Sequence, residues 1–133
     1  MLTIRDPQLA ALRAAREPAF LDDLVAHLRA YHPDAVEDLS DDEIRARARV
    51  GVRRAGRYGF DKGRTAAAFV ALMFEIAPNF DEHPAIRRCL TDEAIPVDAR
   101  ILDLVHRTTA AAWEEAEEAY DDAAWGDEPE ERA

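Results

Sequence analysis

Four histidines, one cysteine, one serine and a run of arginines are the residues from which this chain could build chemistry. A helical zinc site needs two histidines four apart on one face, and a metalloprotease adds a glutamate in an HExxH pattern. His27, His32, His83 and His106 give no such pair. Asp81-Glu82-His83 looks like a ligand cluster, but adjacent side chains on a turn rarely converge on one ion. Acidic residues also suit the start of a following helix, where they complement its dipole. Cys89 stands between Arg88 and Leu90; a neighbouring guanidinium favours a thiolate slightly, yet no local base accompanies it, and it reads as a packed structural thiol. Ser40, the only serine, sits where a helix needs a cap. Gly56, Gly59 and Gly63 are evenly spaced, but no strand precedes them, so they do not form a phosphate loop. The residues predict neither a catalytic centre, a metal nor a cofactor.

Charge offers two further candidates. Eight basic residues fall between Arg45 and Arg64. Single-strand nucleic-acid binding would want aromatic residues among them for base stacking, and none occurs before Tyr58. The run therefore reads as a solvated or ion-paired helix face, with a protein-binding face, including Arg49, Arg53 and Arg57, as the alternative. Glu75 is the one charge in an otherwise apolar stretch. An unpaired buried carboxylate is costly, so an arginine of the preceding helix is its expected partner.

These residues must be held by helices. Alanine and leucine are abundant and β-branched residues few, a composition that favours helix over sheet. Residues 66–77 are apolar except for Glu75 and lack Gly and Pro before Pro78. A helix apolar on all sides must be covered on all sides, so residues 65–77 are predicted to form the central helix of an all-α, single-domain bundle of about five helices. The stretch is shorter than the about 20 apolar residues that span a bilayer. Ahead of it, Asp6 and Pro7 suit a helix start, and helical spacing runs through Pro18 to Tyr31, predicting one kinked helix over 7–31. Residues 33–39 form a linker with a short turn. Ser40 and Glu43 make a capping box for a helix over 41–57, with Ile44, Ala48, Gly51, Val52 and Ala55 on its apolar stripe and the six arginines on the remaining arc. Asp61 is the expected cap of the central helix. His83-Pro84 opens a short helix through Leu90. A last, long helix begins near Pro96 or Val97, with Ile101, Val105, Thr108, Ala112, Ala116, Ala119 and Ala123 as its stripe.

Length suits one domain, expected over 1–125, and no internal repeat is visible. One cysteine excludes an internal disulfide. The apolar start, Met1 to Ile4, is too short for a secretory signal, so a cytoplasmic location is expected. The net charge is −11. Residues 113–133 hold ten acidic residues and one Arg, net −9, which leaves −2 on residues 1–112. Such a balance argues against general affinity for nucleic acid or anionic membrane and leaves room for a basic protein partner. Residues 126–133, acidic and containing Pro129, are expected to be a disordered tail. Between Trp113 and Trp125, alanines and aromatics alternate with acids. Trp113 continues the apolar stripe onto the bundle, and Tyr120 and Trp125 lie beyond its expected edge; all three are candidate protein-binding residues, since aromatic anchors in an acidic rim suit a protein interface.

Three stretches carry a family resemblance: Ile4-Arg5-Asp6-Pro7-Gln8-Leu9, then Ala55-Gly56-Arg57-Tyr58-Gly59-Phe60, then Phe69-Val70-Ala71-Leu72-Met73-Phe74 running into Pro78-Asn79-Phe80-Asp81. Together, over about residues 4–105, they resemble small helical proteins encoded beside type VI secretion effectors, spike proteins and PAAR-repeat tips. The chain departs from that pattern after Asp81, where His83-Pro84-Ala85-Ile86 stands in place of a Pro-Trp-Ala region. The resemblance implies a non-enzymatic co-chaperone or adaptor that helps load an effector on the secretion spike, with an effector, spike or PAAR protein, or adaptor as partner. It identifies no binding residue. An immunity protein neutralising a cognate toxin is the alternative, since the acidic C-terminal region would suit a basic nuclease. A small helical enzyme or nucleic-acid binder is the third.

Overall fold

The computed structural model describes residues 6–126, and the side chains from residue 16 onward. It is an all-α, single-domain helical bundle. The helices are α1 (Asp6–Tyr31), α2 (Pro33–Val36), α3 (Asp41–Arg57), α4 (Gly63–Glu75), α5 (Pro84–Leu90), α6 (Val97–Arg107) and α7 (Ala110–Glu118), with 3-10 turns at Phe80–Glu82 and Asp122–Gly126. The expected Asp6 cap and the apolar Leu9, Leu12 and Ala15 fall among side chains outside the described residues, as does the tail from residue 127. No helix among the described residues is long and apolar enough to cross a membrane.

The central position of α4 has a simple cause: it faces two apolar clusters at once. Phe69 and Met73 point into one with Phe60, Phe80, Ile86, Leu90, Ile101 and Leu104. Val70 and Ala71 point into the other with Leu21, Leu24 and Leu28 of α1, Val36 of α2, and Ile44 and Ala48 of α3. The helix α3 comes close to α4 at Gly51, where a Cβ would stand 2.9 Å from Val70 Cγ2 and 3.1 Å from Met73 Sδ. Only a hydrogen fits there without displacing a side chain of the core.

Local signals set most helix ends. Ser40 accepts a hydrogen bond from the Glu43 amide at 3.1 Å, and the Ser40 amide donates back to the Glu43 carboxylate at 2.8 Å. That carboxylate is held below its ordinary pKa, first by the Ser40 backbone bond. Gly59 ends the turn after α3 at φ 86°, a conformation glycine adopts without steric cost. Arg29 closes the corner between α1 and α3: it pairs with Asp41 at 2.8 Å and donates to the Leu39 carbonyl at 2.8 Å.

Three expectations are corrected. Lys62, not Asp61, is the N-cap of α4, and it contributes no side-chain cap bond. Backbone extension at Lys62 is enough to start the helix one turn before the apolar run. The predicted long last helix is two. Thr108 ends α6 in extended backbone, and Thr109 caps α7 by accepting from the Ala112 amide at 3.1 Å. The break redirects the chain, so the proposed stripe is split. Ile101, Ala112 and Ala116 are buried, but Val105, Ala119 and Ala123 are exposed, and Leu104 takes the inward place. Glu75 has no arginine partner of α3; it lies on the surface and pairs with His32 Nδ1 at 2.7 Å. The last turn of α4 directs it toward the end of α1 rather than toward α3.

Burial ranks the positions of α4. Phe69 is fully buried, whereas Leu72 is only partly so. Phe69→Ala should cost about 3–5 kcal/mol through lost burial and a cavity, and Leu72→Ala should cost less. Denaturant midpoints measured at constant m-value will check the order; equal midpoints would contradict it.

Candidate functional site

Two polar features stand out against the apolar clusters. The first is buried. Arg54, predicted on the solvent arc of α3, is instead 3% exposed, and Asp81 is 2% exposed. The helical repeat carries Arg54 to the edge of the Ala55–Gly51 stripe, and the turn after α4 brings a carboxylate to meet it. Arg54 Nε donates to Asp81 Oδ1 at 2.8 Å and Arg54 Nη2 to Glu82 Oε2 at 2.9 Å. Tyr58, one turn further along, donates its hydroxyl to Asp81 Oδ2 at 2.7 Å. Arg87 of α5 donates to the same hydroxyl at 3.4 Å. Burial of the Arg54 guanidinium works to lower its pKa, but Asp81 and Glu82 outweigh that and hold it above the ordinary arginine value. Burial raises the Tyr58 pKa, and the hydrogen bond to Asp81 raises it further. Both carboxylate oxygens of Asp81 accept a hydrogen bond, and the cluster ties α3, α5 and the turn at Phe80–Glu82 together. It is an ion pair that fixes geometry.

The second feature is open. A groove of about 680 Å³ runs between α3 and the turn at Asp122–Gly126, lined by Glu43, Arg47, Arg49, Val50, Arg53, Asp122 and Trp125 among others. It exists because Trp125 folds back. Contrary to expectation, Trp125 does not lie beyond the bundle: it is 9% exposed and its ring packs 4.9 Å from Phe74. The Arg47 guanidinium lies over the indole at 5.2 Å, an attractive cation–π contact. Tyr120 accepts from Trp125 Nε1 at 3.2 Å and donates to Asp122 at 3.2 Å, leaving its ring about half exposed. The segment is tied back by Asn79, whose amide donates to the Ala119 carbonyl and whose carbonyl oxygen accepts from the Asp121 amide, each at 3.0 Å.

Of the six residues singled out for protein binding, the groove gathers Arg49, Arg53 and Trp125. Trp113 is half-buried against the α4 cluster. Tyr120 stands beside the groove, joined to it through Trp125. Arg57 is exposed at the end of α3, outside the groove lining. The arginine face is largely ion-paired, as expected for a helix beside acidic neighbours. Arg45 pairs with Asp22, and Arg49 lies 3.8 Å from Glu17. Sequence reasoning missed the groove because the break at Thr108-Thr109 was hidden; the Thr109-to-Ala112 cap was its one local signal.

His83 adds a fixed tautomer. Its Nδ1 accepts from the Ala85 amide at 3.1 Å, capping α5, so the neutral ring carries its proton on Nε2, which faces Glu115 at 2.7 Å. Among the described residues, no three His, Cys, Asp or Glu side chains come together as metal ligands. No protein-family model matches the sequence, and no curated protein or solved structure matches it significantly.

Two outcomes follow from the buried cluster. Asp81→Asn leaves Arg54 without its counter-charge and should cost about 3–5 kcal/mol, read from denaturant midpoints; Tyr58→Phe should cost about 1–3 kcal/mol. Because Tyr58 is held protonated in the fold, its stabilisation is fully present below the ordinary tyrosine pKa of 10.0 and is lost as pH rises through the raised value. Tyr58→Phe should therefore flatten the alkaline limb of a stability-against-pH curve. An unchanged limb would place the loss on other groups.

Proposed function

We propose that the chain is a non-enzymatic, protein-binding accessory, a co-chaperone or adaptor of the kind implied by its resemblance to small helical proteins of type VI secretion clusters. The observation that carries this reading is the groove. Arg49 and Arg53 of α3 and the buried Trp125 of the C-terminal turn, far from them in sequence, line one groove beside a half-exposed tyrosine. Arginine and aromatic side chains around a partly apolar floor are the composition of protein interfaces. The buried polar cluster of Arg54, Asp81 and Tyr58 is held together by hydrogen bonds among its own members, which suits a scaffold.

A second reading, an immunity protein that neutralises a cognate toxin, is favoured by the outward carboxylates of α7. Glu114, Glu117 and Glu118 are exposed, a surface suited to a basic partner. Crosslinking in the native host followed by mass identification separates the two. An effector, spike or PAAR protein captured before secretion, with its activity unaffected by the bound chain, is the expected result. Capture of a toxin whose activity is abolished in the complex would favour immunity, and a chain that crosslinks to no protein would remove both.

A further inference from the structure

We propose that the outer face of α6 pairs with the same face of a second copy of the chain, the two helices running antiparallel about a two-fold axis at Leu102. The inference does not depend on the groove or on the protein-binding reading.

Four large apolar side chains among the described residues are exposed, and two of them, Leu102 at 63% and Val105 at 50%, share one face of α6. Ile101 and Leu104 fill the inner side of the same helix, so only one of its two apolar sides is covered within the chain. Steps of three and four residues keep to one helix face. Asp98, Ala99, Leu102, Val105 and His106 therefore form one stripe, and all five are exposed. The stripe is symmetric about Leu102. Three residues to either side stand the apolar Ala99 and Val105; four residues to either side stand the polar Asp98 and His106. An antiparallel two-fold at Leu102 sets that side chain against itself, Ala99 level with Val105, and Asp98 level with His106. An isologous contact requires this kind of self-complementary surface. The polar ends also match in kind, because an imidazole N–H donates to a carboxylate whether the ring is neutral or charged. Lys62 occupies only Oδ2 of Asp98, at 2.7 Å, and among the described residues His106 has no hydrogen-bond or ion-pair partner. The remaining charges of the rim are answered within the chain, since Arg107 pairs with Asp103 and Asp92. A surface with little unpaired charge suits the centre of an interface. Antiparallel alignment further brings each helix N-terminus beside the other's C-terminus, which the helix dipoles favour. Two terms set the strength. Five side chains a copy fall short of the about 20–30 residues a side of a stable complex, so the pairing is weak and concentration-dependent. The net charge of −11 repels between copies, a repulsion that salt screens.

The test is sedimentation equilibrium of the full chain over about 10 µM to 1 mM. The average mass should rise with concentration from the 14.9 kDa monomer toward twice that value, and rise further with added salt. Leu102→Asp/Val105→Asp should raise the dissociation constant about tenfold or more, with an unchanged circular dichroism spectrum, because both positions face water. Tyr31→Asp, at an exposed aromatic of α1, should leave the association as it is. His106→Asp should weaken it about two- to fivefold, and His106→Arg should preserve it. Under mild oxidation Leu102→Cys should give a disulfide-linked dimer, since the axis sets that position against itself. Tyr31→Cys should not, and the wild-type chain, whose one cysteine is buried, is the blank. A mass that stays monomeric throughout would overturn the proposal. So would a dimer indifferent to Leu102→Asp/Val105→Asp, a dimer that salt dissociates, or equal crosslinking through Leu102→Cys and Tyr31→Cys. Association that needs Leu102 and Val105 but gives no crosslink through Leu102→Cys would reject the antiparallel two-fold. A host protein whose capture is lost in Leu102→Asp/Val105→Asp, while the wild-type chain alone stays monomeric, would give the face to that partner instead.

Discussion

The Arg54–Asp81 ion pair is the constraint on which the bundle's geometry depends. Two charges out of water are costly, and their mutual attraction repays that cost only with good geometry and further hydrogen bonds. Here those conditions are met by Tyr58 and Glu82, so the pair permits little displacement of α3 relative to the turn after α4. Apolar packing alone would tolerate sliding between helices; a set of four directed bonds does not. The two apolar clusters supply the driving force, and the buried pair fixes how α3 meets the turn that follows α4.

The groove inherits that geometry. The floor residue Val50 lies four residues before Arg54 on the same helix, and the Phe80–Glu82 turn that supplies Asp81 follows directly on Asn79, which ties back the C-terminal segment. The open surface and the closed polar cluster are two sides of one arrangement. One fixes the helix, and the other presents its outer edge.

Local signals were legible in the sequence and distant ones were not. The capping box at Ser40, the bounds of α3, the Pro84 start of α5 and the apolar run of α4 all follow from neighbours within one or two turns. The fold class follows from them. Arg54 is predicted on the solvent arc and found buried, because helical periodicity gives the edge of a stripe but does not say which loop arrives there. The partner lies 27 residues away. The His32–Glu75 pair, 43 residues apart, escaped for the same reason. Trp125 was misplaced because alanine spacing continued smoothly through Thr108-Thr109, while the backbone did not. Half of the proposed binding set still converged, since Arg49 and Arg53 share a helix face that periodicity does define.

The Asn79 clamp has a consequence for how the molecule opens. Its amide spans both Ala119 and Asp121, so it treats the end of α7 and the following turn as one unit. That unit looks peripheral, since most of its side chains face water. Its amides nevertheless depend on a residue embedded beside Phe80 in the main core. Exchange of the Asp121 amide should therefore follow opening of the interior rather than fraying of a chain end. The side of the groove that Trp125 forms is thereby built into the fold, through Asn79 ahead of it and Phe74 beneath it, rather than carried on a loose chain end.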